Sequence, residues 1–377
     1  MDWIVPLADL EYNEEENRAV LDVLHSRWLT MGAVTQAFEA EFAALSGAKH
    51  ALTVSNATQA LHLACLAVGI GPGDEVITPS LSFVATSNAV LYCGADVRLA
   101  DIHGEEDFTI DPSEIGRLAT PRTKAVIVMH YAGYPCDMQA ILAEARKHNL
   151  RVIEDVAHAP GGKLDGQGLG TIGEIGCFSF FSNKNLSTGE GGMLLTGDDN
   201  LAARLKLMRS HGMTTLTYDR HRGHAYSYDV VDLGYNYRID EIRSALGRVQ
   251  LAKLPGNNAL RKQWTELYQK LLAGSGVSLP FLNPRGEPSY HIFPMLLPEG
   301  IERKGFIDRM REKKIQTSIH YPPTHLFTYY RQRYGAISLP RTEAVAAREV
   351  TLPLYPSMGQ EKVEYVAAAV RECLEQG

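Results

Sequence analysis

The chain has 377 residues, of which 45% are hydrophobic, so it is long enough for two unequal domains and apolar enough to fill a sizeable core. Its 37 Lys and Arg against 44 Asp and Glu give a net charge of −7, and no basic run is interleaved with aromatic residues, which argues against a nucleic-acid partner. The first residues lack the basic and apolar regions of a signal peptide, and no segment has the roughly 18 consecutive apolar residues of a membrane span, so we expect a cytoplasmic protein without a membrane partner.

A repeated pattern between about residues 49 and 196 predicts an α/β domain, because short β-branched or apolar runs end in small or acidic residues and helical stretches follow them. The predicted strands are Ala51–Val54, Glu75–Thr78, Asp96–Ala100, Ala125–Met129, Arg151–Glu154 and Met193–Thr196. The predicted helices between them include Ala57–Val68, Val84–Leu91 and Met138–Lys147. Most connections are long enough for crossovers, so we expect a largely parallel sheet that binds its ligands at the carboxyl ends of its strands.

The pattern changes at the sequence LPGNN, residues 254–258, which predicts a division into a large domain over residues 1–253 and a smaller α+β domain over residues 254–377. The smaller domain contains the alternating run Tyr290–Leu297 and two predicted helices, Lys304–Lys313 and Gln360–Gln376. Between those helices, the proline-containing segments 319–325 and 352–356 are predicted loops or edge strands.

The five cysteines give no metal or disulfide signature. They are scattered, odd in number and without a CxxC pair: Cys65, Cys93, Cys136, Cys177 and Cys373. This usage suits a reducing compartment, and we interpret the cysteines as core residues and expect no metal site.

Two strand ends in the first half of the chain offer binding groups. The turn Val54–Ala60 passes from a strand to a helix on small hydroxyl and amide residues, so its free backbone N–H groups could bind a phosphate; plain N-capping by Ser55 or Asn56 is the alternative. Phe83 follows the next strand, where an aromatic ring could stack on a planar ligand or simply fill the core.

The fifth predicted strand ends in acidic residues, with Asp155 in a buried setting and His158 three residues beyond it. A buried carboxylate needs a cationic partner, because an unpaired one costs several kcal/mol. A protonated pyridine nitrogen would meet that need, and so would a salt bridge to an arginine. His158 by itself is compatible with a structural, hydrogen-bonded histidine.

Lys184 has an unusual setting for a lysine. The residues Phe178, Phe180 and Phe181 precede it, and a glycine-rich turn from Gly189 to Gly192 follows it. Apolar surroundings lower the pKa of an amine, and a neutral amine can form a Schiff base with an aldehyde.

These groups occur in one order, as a phosphate turn, an aromatic ring, a carboxylate and a lysine, and with them the chain resembles the DegT/DnrJ/StrS family of sugar aminotransferases over nearly its whole length. The matching segments are Trp28–Gly32, Ser55–Thr58, Thr78–Thr86, Glu154–His158, Phe178–Phe180 with Lys184–Asn185, Thr188–Gly192, Gly234–Arg238, His320–Pro323 with His325, and Leu352–Ser357. The resemblance implies the fold of type I pyridoxal-phosphate (PLP) enzymes: a large α/β domain with a mainly parallel seven-stranded sheet and a small C-terminal α+β domain.

The resemblance also implies a role for each cofactor-binding residue. Lys184 would form the Schiff base with PLP and move the proton, and Asp155 would pair with the pyridine nitrogen. Phe83 would stack on the ring, and His158 would lie near the phenolic oxygen. The phosphate would be held by Asn56, Ala57, Thr58 and Ser179. Asn236 would reach the phosphate of a neighbouring subunit, which implies a homodimer with shared active sites.

The activity implied is transfer of an amino group from an amino acid, L-glutamate in our interpretation, to a keto carbon of a nucleotide-linked deoxysugar, with pyridoxamine phosphate between the two half-reactions. The substrate-side residues implied are Thr30, Met31, Asn183, Arg238, His320, Tyr321 and His325. A cyclitol acceptor of the aminoglycoside type is the alternative. Departures from the family are Ser182 and Asn183 and the loop 217–229, which either grips a nucleotide diphosphate or is variable surface.

Other functions are less well supported by the residues. In the dehydratase branch of the family a histidine occupies the lysine position, so Lys184 argues against it. A PLP-binding regulator without turnover would not need the intact set of Lys184, Asp155 and phosphate residues. No GxGxxG motif opens a helix after a strand, which disfavours a nicotinamide enzyme. His320 and His325 lack a third ligand of suitable spacing for a metal.

Overall fold

A seven-stranded sheet forms the centre of the computed structural model, which describes residues 2–214 and 227–376. Its strands are β1 His50–Val54, β2 Glu75–Pro79, β3 Asp96–Ala100, β4 Thr123–Met129, β5 Arg151–Asp155, β8 Ile175–Ser179 and β9 Gly192–Thr196, and the hairpin β6 Lys163–Leu164 and β7 Gln167–Gly168 lies outside it. The order is β1-β9-β8-β5-β4-β2-β3. Only β9 runs against its neighbours, which confirms the predicted, mainly parallel sheet.

One central strand, β8, was not among the strands predicted from periodicity. Its sequence, IGCFS, is fully buried and contains Gly176. A Cβ atom at Gly176 would lie 2.3–2.7 Å from backbone atoms of Gly170, so two backbone segments approach here more closely than any side chain allows. Glycine weakens the strand signal in the sequence, and the close approach explains why glycine is nevertheless required.

Twelve α-helices of four or more residues are seen in the part of the chain that the structure describes. They are α1 Glu14–Ser26, α2 Ala33–Ser46, α3 Ala57–Ala67, α4 Ala85–Tyr92, α5 Pro112–Leu118, α6 Met138–Lys147, α7 Asp199–Arg209, α8 Glu241–Leu272, α9 Arg303–Glu312, α10 Thr328–Tyr334, α11 Pro340–Arg348 and α12 Gly359–Glu375. The five helices whose bounds were predicted are confirmed to within about one residue at each end. Within residues 2–214 and 227–376, no helix combines the length and the apolar composition that crossing a membrane requires.

The predicted break at residues 254–258 is wrong for the secondary structure, because α8 continues through Pro255. An internal proline removes one helical hydrogen bond, so tertiary packing must keep the helix continuous. Leu251 and Leu254 are buried before the proline, and Trp264 and Tyr268 are buried after it. The division into two domains near this position stays a prediction.

The C-terminal part contains a two-stranded antiparallel sheet, β10 Phe293–Leu296 with β11 Glu349–Leu352, and its buried residues share one hydrophobic core with residues that follow strands of the large sheet, such as Leu81, Ile102 and Tyr131. Residues 289–291, just before β10, pair with the turn that follows β4 of the large sheet: the N–H of Ser289 donates to the carbonyl of Gly133 at 3.0 Å, and the N–H of His291 donates to that of Ala132 at 2.8 Å. Gly133 has φ +92°, and a Cβ there would lie 2.6 Å from Ser289 Oγ and 2.9 Å from Tyr290 N. This contact fixes where the start of β10 meets the large sheet.

Gly133→Ala should therefore lower the free energy of unfolding by about 1–3 kcal/mol more than a matched control, because the methyl group overlaps the paired segment. Gly73→Ala is that control, since Gly73 has φ +91° but no atom within 4 Å of an added Cβ. Urea denaturation of both variants measures the difference. Equal losses would contradict close packing of residues 289–291 on Gly133.

Candidate active site

A cavity of about 680 Å³ opens at the carboxyl ends of β1, β2, β4, β5 and β8. Eleven of the predicted site residues line this cavity: Asn56, Ala57, Thr58, Phe83, Asp155, His158, Ser179, Asn183, Lys184, His320 and Tyr321. Convergence of strand ends on one cavity is the arrangement expected for a parallel sheet that binds a ligand.

The turn between β1 and α3 can hold an anion. The side chain of Asn56 caps the helix by accepting from the N–H of Gln59 at 2.9 Å, and the amides of Ala57 and Thr58, in the first turn, have no intrahelical acceptors. A Cβ at Gly192 would lie 2.7–2.9 Å from backbone atoms of Asn56 and Ala57, so glycine lets β9 approach this turn. N-capping and anion binding are thus compatible here, since capping uses the Asn56 side chain and leaves the first amides available.

Asp155, at the end of β5, is a buried carboxylate fixed by two donors. The hydroxyl of Thr86 donates to Oδ2 at 2.8 Å, and the N–H of Ala157 donates to Oδ1 at 3.1 Å. Burial raises the pKa of Asp155, and these hydrogen bonds oppose that rise. Among residues 2–214 and 227–376, no Lys, Arg or His nitrogen lies within 4.0 Å of it, so the salt bridge to arginine is not seen, and the carboxylate suits a cationic ring nitrogen of a ligand.

Lys184 follows β8 and projects its amine into the cavity. Burial lowers the pKa of Lys184 to about 8, although the charge of Asp155 opposes this shift. Phe178 and Phe180 do not surround the amine as their spacing suggested, because their rings pack against Phe42 in the core, 5.0 and 5.6 Å between centroids.

Histidines also lie around the cavity that contains the amine of Lys184, and Phe181, unlike Phe178 and Phe180, lines that cavity. His158 accepts from the N–H of Ala132 at Nδ1 (3.2 Å), so its Nε2 carries the proton and donates to the hydroxyl of Tyr321 (2.8 Å). His320 lies on the cavity wall, with Nδ1 at 2.8 Å from Thr351 Oγ1, and burial lowers its pKa to about 4.

The third histidine, His291, was missed from the sequence. Its Nε2 lies 3.4 Å from Lys184 Nζ, and its ring centroid lies 4.3 Å from that of His158. Burial is the main cause that holds the pKa values of His158 and His291 well below the usual range, and the charge of Lys184 adds to it. The available signal was a polar residue in the apolar run Tyr290–Leu297, about a hundred residues from the lysine.

The aromatic wall of the cavity is formed by Phe83, which is 55% exposed, and Tyr321, with 5.9 Å between their ring centroids. An exposed phenylalanine at this position does not fill the core, so its face is available to a planar ligand. Of the two departures from the family, Asn183 lines the cavity, whereas Ser182 does not and donates to the carbonyl of Gly189 at 3.2 Å.

Several predicted residues lie away from this cavity. His325 is occupied at both ring nitrogens, by Ser80 Oγ at 2.7 Å and by Glu343 Oε1 at 3.1 Å, which is a structural arrangement. The others outside the lining are Thr30, Met31, Asn236 and Arg238. Asn236 is exposed, as a residue that serves a second subunit would be, and its role stays a prediction.

Two further predictions concern a loop and a metal site. Residues 217–226 of the loop predicted to grip a diphosphate lie outside the described residues. Among the described residues, no cluster of three or more His, Cys, Asp or Glu side chains has the arrangement to hold a metal ion. The five cysteines are free and buried.

Comparisons with known proteins place the chain among aminotransferases. The sequence model of the DegT/DnrJ/EryC1/StrS aminotransferase family matches residues 11–371. The spore coat polysaccharide biosynthesis protein SpsC of Bacillus subtilis (strain 168) is 39% identical over 367 residues, 95% of this chain and 94% of that protein.

Solved structures of similar proteins superpose on this chain over nearly its whole length. PseC of Helicobacter pylori, an aminotransferase involved in the biosynthesis of pseudoaminic acid, is 29% identical with a TM-score of 0.92, over 99% of this chain and 100% of its own. Spr1654 of Streptococcus pneumoniae, in its PMP-form, is 26% identical with a TM-score of 0.93, over 99% of both chains, and it is also known in a PLP-form.

The buried neutral histidines predict acid sensitivity of the fold. An unfolded histidine binds a proton below about pH 6.5, whereas folded His158 resists protonation. The folded state is therefore not penalised by His158 above that pH, and it loses stability relative to the unfolded state as the pH falls below it. His158→Gln keeps an acceptor and a donor without titrating. It should reduce the slope of the free energy of unfolding against pH by at most about 1.4 kcal/mol per pH unit. Urea midpoints between pH 7 and 5 measure this slope.

Exposed His25→Gln is the matched control and should follow the parent chain. If His158→Gln also followed the parent chain, His158 would titrate in the folded protein as it does in the unfolded one, against the prediction.

Proposed function

The chain belongs to the DegT/DnrJ/EryC1/StrS aminotransferase family and is an aminotransferase, and we propose that it transfers an amino group from L-glutamate to a keto carbon of a nucleotide-linked deoxysugar with PLP as cofactor. The observation that carries the proposal is the meeting of Lys184, Asp155 and the anion-binding turn in one cavity. The PLP-form and PMP-form of Spr1654 support the cofactor, and the polysaccharide pathway named for SpsC supports a sugar acceptor.

The cavity offers a group that suits each part of PLP. The first-turn amides of Ala57 and Thr58, with the hydroxyl of Ser179, would hold the phosphate. The Asp155 carboxylate would pair with the ring nitrogen, and Phe83 would pack on the face of the ring. When bound, PLP supplies an aldehyde for the amino group and an electron-withdrawing ring that acidifies the substrate Cα–H bond.

Lys184 is the proposed proton carrier. With a pKa of about 8, its Nζ is partly neutral near pH 8 and can remove a proton from the α-carbon of the amino donor. The same atom can return the proton when the keto-sugar receives the amino group, so one base serves both half-reactions. Asp155 assists by keeping its negative charge at a fixed position, which the hydroxyl of Thr86 and the N–H of Ala157 maintain.

The sugar is proposed to contact Asn183, His320 and Tyr321, which line the cavity. Outside the lining, Asn236 is proposed to reach the phosphate of a neighbouring subunit in a homodimer, and Thr30, Met31 and Arg238 are proposed to contact the substrate. Exposed apolar side chains support such an interface, since Leu29, Val231 and Leu233 are 45%, 55% and 75% exposed. A cytoplasmic location is part of the same proposal.

A cyclitol acceptor is the second candidate, because nothing in the described cavity selects a nucleotide. The dehydratase and regulator alternatives are disfavoured by the buried amine of Lys184 with its lowered pKa, which a protein without proton transfer would have no need to maintain.

Borohydride reduction of the PLP-loaded protein should place a pyridoxyl group on Lys184, as read by peptide mass mapping, because Lys184 Nζ is the amine inside the cavity. Lys184→Ala should lower transamination by about 10²- to 10⁴-fold or more. Lys163→Ala, at an exposed lysine of the hairpin β6–β7, should keep both properties. Labelling of another residue, or an active Lys184→Ala variant, would contradict the mechanism.

Glutamate alone should convert the bound cofactor to its pyridoxamine form, seen as a change in its absorbance, and a panel of nucleotide keto-sugars and keto-cyclitols should then reveal the acceptor by mass spectrometry. Asn183→Ala should raise the KM for the sugar several-fold without altering the glutamate step, because Asn183 lines the cavity and its Oδ1 is buried without a hydrogen-bond partner among the described residues. Ser182→Ala is the control, since Ser182 points elsewhere. A spectrum unchanged by every amino donor would instead favour the regulator.

A further inference from the structure

His291 and Lys184 make a contact that the cofactor-binding set above does not explain. His291 is buried, and its Nε2 lies 3.4 Å from the free amine of Lys184. The two residues are 107 positions apart in the chain, and His291 comes from the segment that leads into β10. Such a contact requires a tertiary arrangement built for it.

Neighbouring groups fix the proton on the His291 ring. Asn185 uses its Nδ2 to donate to Asn258 Oδ1 at 2.9 Å and to the carbonyl of Ser289 at 2.7 Å. A carbonyl only accepts, so the orientation of the Asn185 amide is determined, and its Oδ1 faces His291 Nδ1 at 2.9 Å. That nitrogen must therefore carry the proton, and Nε2 presents a lone pair to Lys184.

The backbone of His291 is held as firmly as its ring. Its N–H donates to the carbonyl of Ala132 at 2.8 Å, and its carbonyl accepts from Arg261 Nη1 at 3.0 Å. Arg261 donates also to the carbonyl of Leu354 at 2.9 Å, so it ties the segment to the chain that follows β11. The histidine is fixed, and any movement belongs to the flexible lysine side chain.

We propose that His291 is a positioning residue that holds the amine of Lys184 whenever that amine is free of the cofactor, and this inference rests on the proposed function. The amine donates one N–H to the Nε2 lone pair, which fixes the Cε–Nζ direction. The lone pair of the neutral amine then points into the cavity, toward the substrate carbon. Without that acceptor, the side chain would have rotamers in which the base is misplaced.

The other ionisable groups that line the cavity, Glu190 among them, make no hydrogen bond with the amine in the part of the chain that the structure describes. Asp155 is engaged by Thr86 and Ala157, and the neutral ring of His158 donates to Tyr321. His320 also lines the cavity, and Thr351 of β11 engages its Nδ1. Arg261 donates to the backbone carbonyl of His291.

The test compares His291→Phe with Tyr290→Phe in the full chain. Phenylalanine keeps a ring against His158 but removes the acceptor, whereas Tyr290→Phe alters the same segment and leaves His291 in place. An acceptor favours the ammonium form, so His291→Phe should lower the pKa of Lys184 by about one unit from its value near 8. Tyr290→Phe should leave it unchanged.

The readout is the pH dependence of acetylation of Lys184 in cofactor-free protein, followed by mass spectrometry with exposed Lys163 as the internal standard. An unchanged or raised pKa in His291→Phe would overturn the proposal. This measurement needs neither PLP nor a sugar, so it separates failure of the proposal from failure of the proposed function.

Two further measurements distinguish positioning from simple folding. In the loaded enzyme, His291→Phe should lower kcat about 10- to 100-fold and change the KM for glutamate by less than about threefold. Should His291→Phe not fold, Asn185→Leu keeps the imidazole but frees its tautomer. The Asn185→Leu variant should lower the pKa of Lys184 in the same direction, and no shift in it would also overturn the proposal.

Discussion

The site depends on burying a carboxylate and an amine beside each other without a direct salt bridge between them. Asp155 is held by a hydroxyl and an amide, and Lys184 meets an uncharged imidazole, so each keeps a group free for a ligand. A direct ion pair would have satisfied both charges and left neither available. The parallel sheet makes the arrangement possible because the carboxyl ends of its strands deliver both residues to one cavity.

Keeping the neighbouring histidines neutral is the second requirement. A charged imidazole at 3.4 Å from Lys184 would repel the ammonium form and compete for the carboxylate of Asp155. Burial is the main cause that keeps both rings neutral, and their hydrogen bonds select the tautomer: the Ala132 amide fixes the proton of His158 on Nε2, and Asn185 fixes that of His291 on Nδ1. Each ring is thereby committed to one donor and one acceptor direction.

The sequence predicted those site residues that lie close to the end of a strand along the chain. Asp155 and Lys184 could be found because an acid after an apolar run, and a lysine between aromatic and glycine residues, are unusual locally. His291 could not be found in this way, because its contact with Lys184 exists only through the pairing of residues 289–291 with Ala132 and Gly133. The same limit applies to the phenylalanines near Lys184, since spacing along the chain does not say which rings turn into the core.

The unbroken helix α8 explains how these distant parts keep their spacing. Asn258 contacts Asn185 on one side and donates to the carbonyl of Pro160 at 3.0 Å on the other, while Arg261, one turn later, holds the carbonyl of His291. Both residues follow Pro255, the position at which the sequence suggested a break. A flexible linker there would let the loop of Lys184 and the segment of His291 move independently, whereas a continuous helix fixes both from one rigid element.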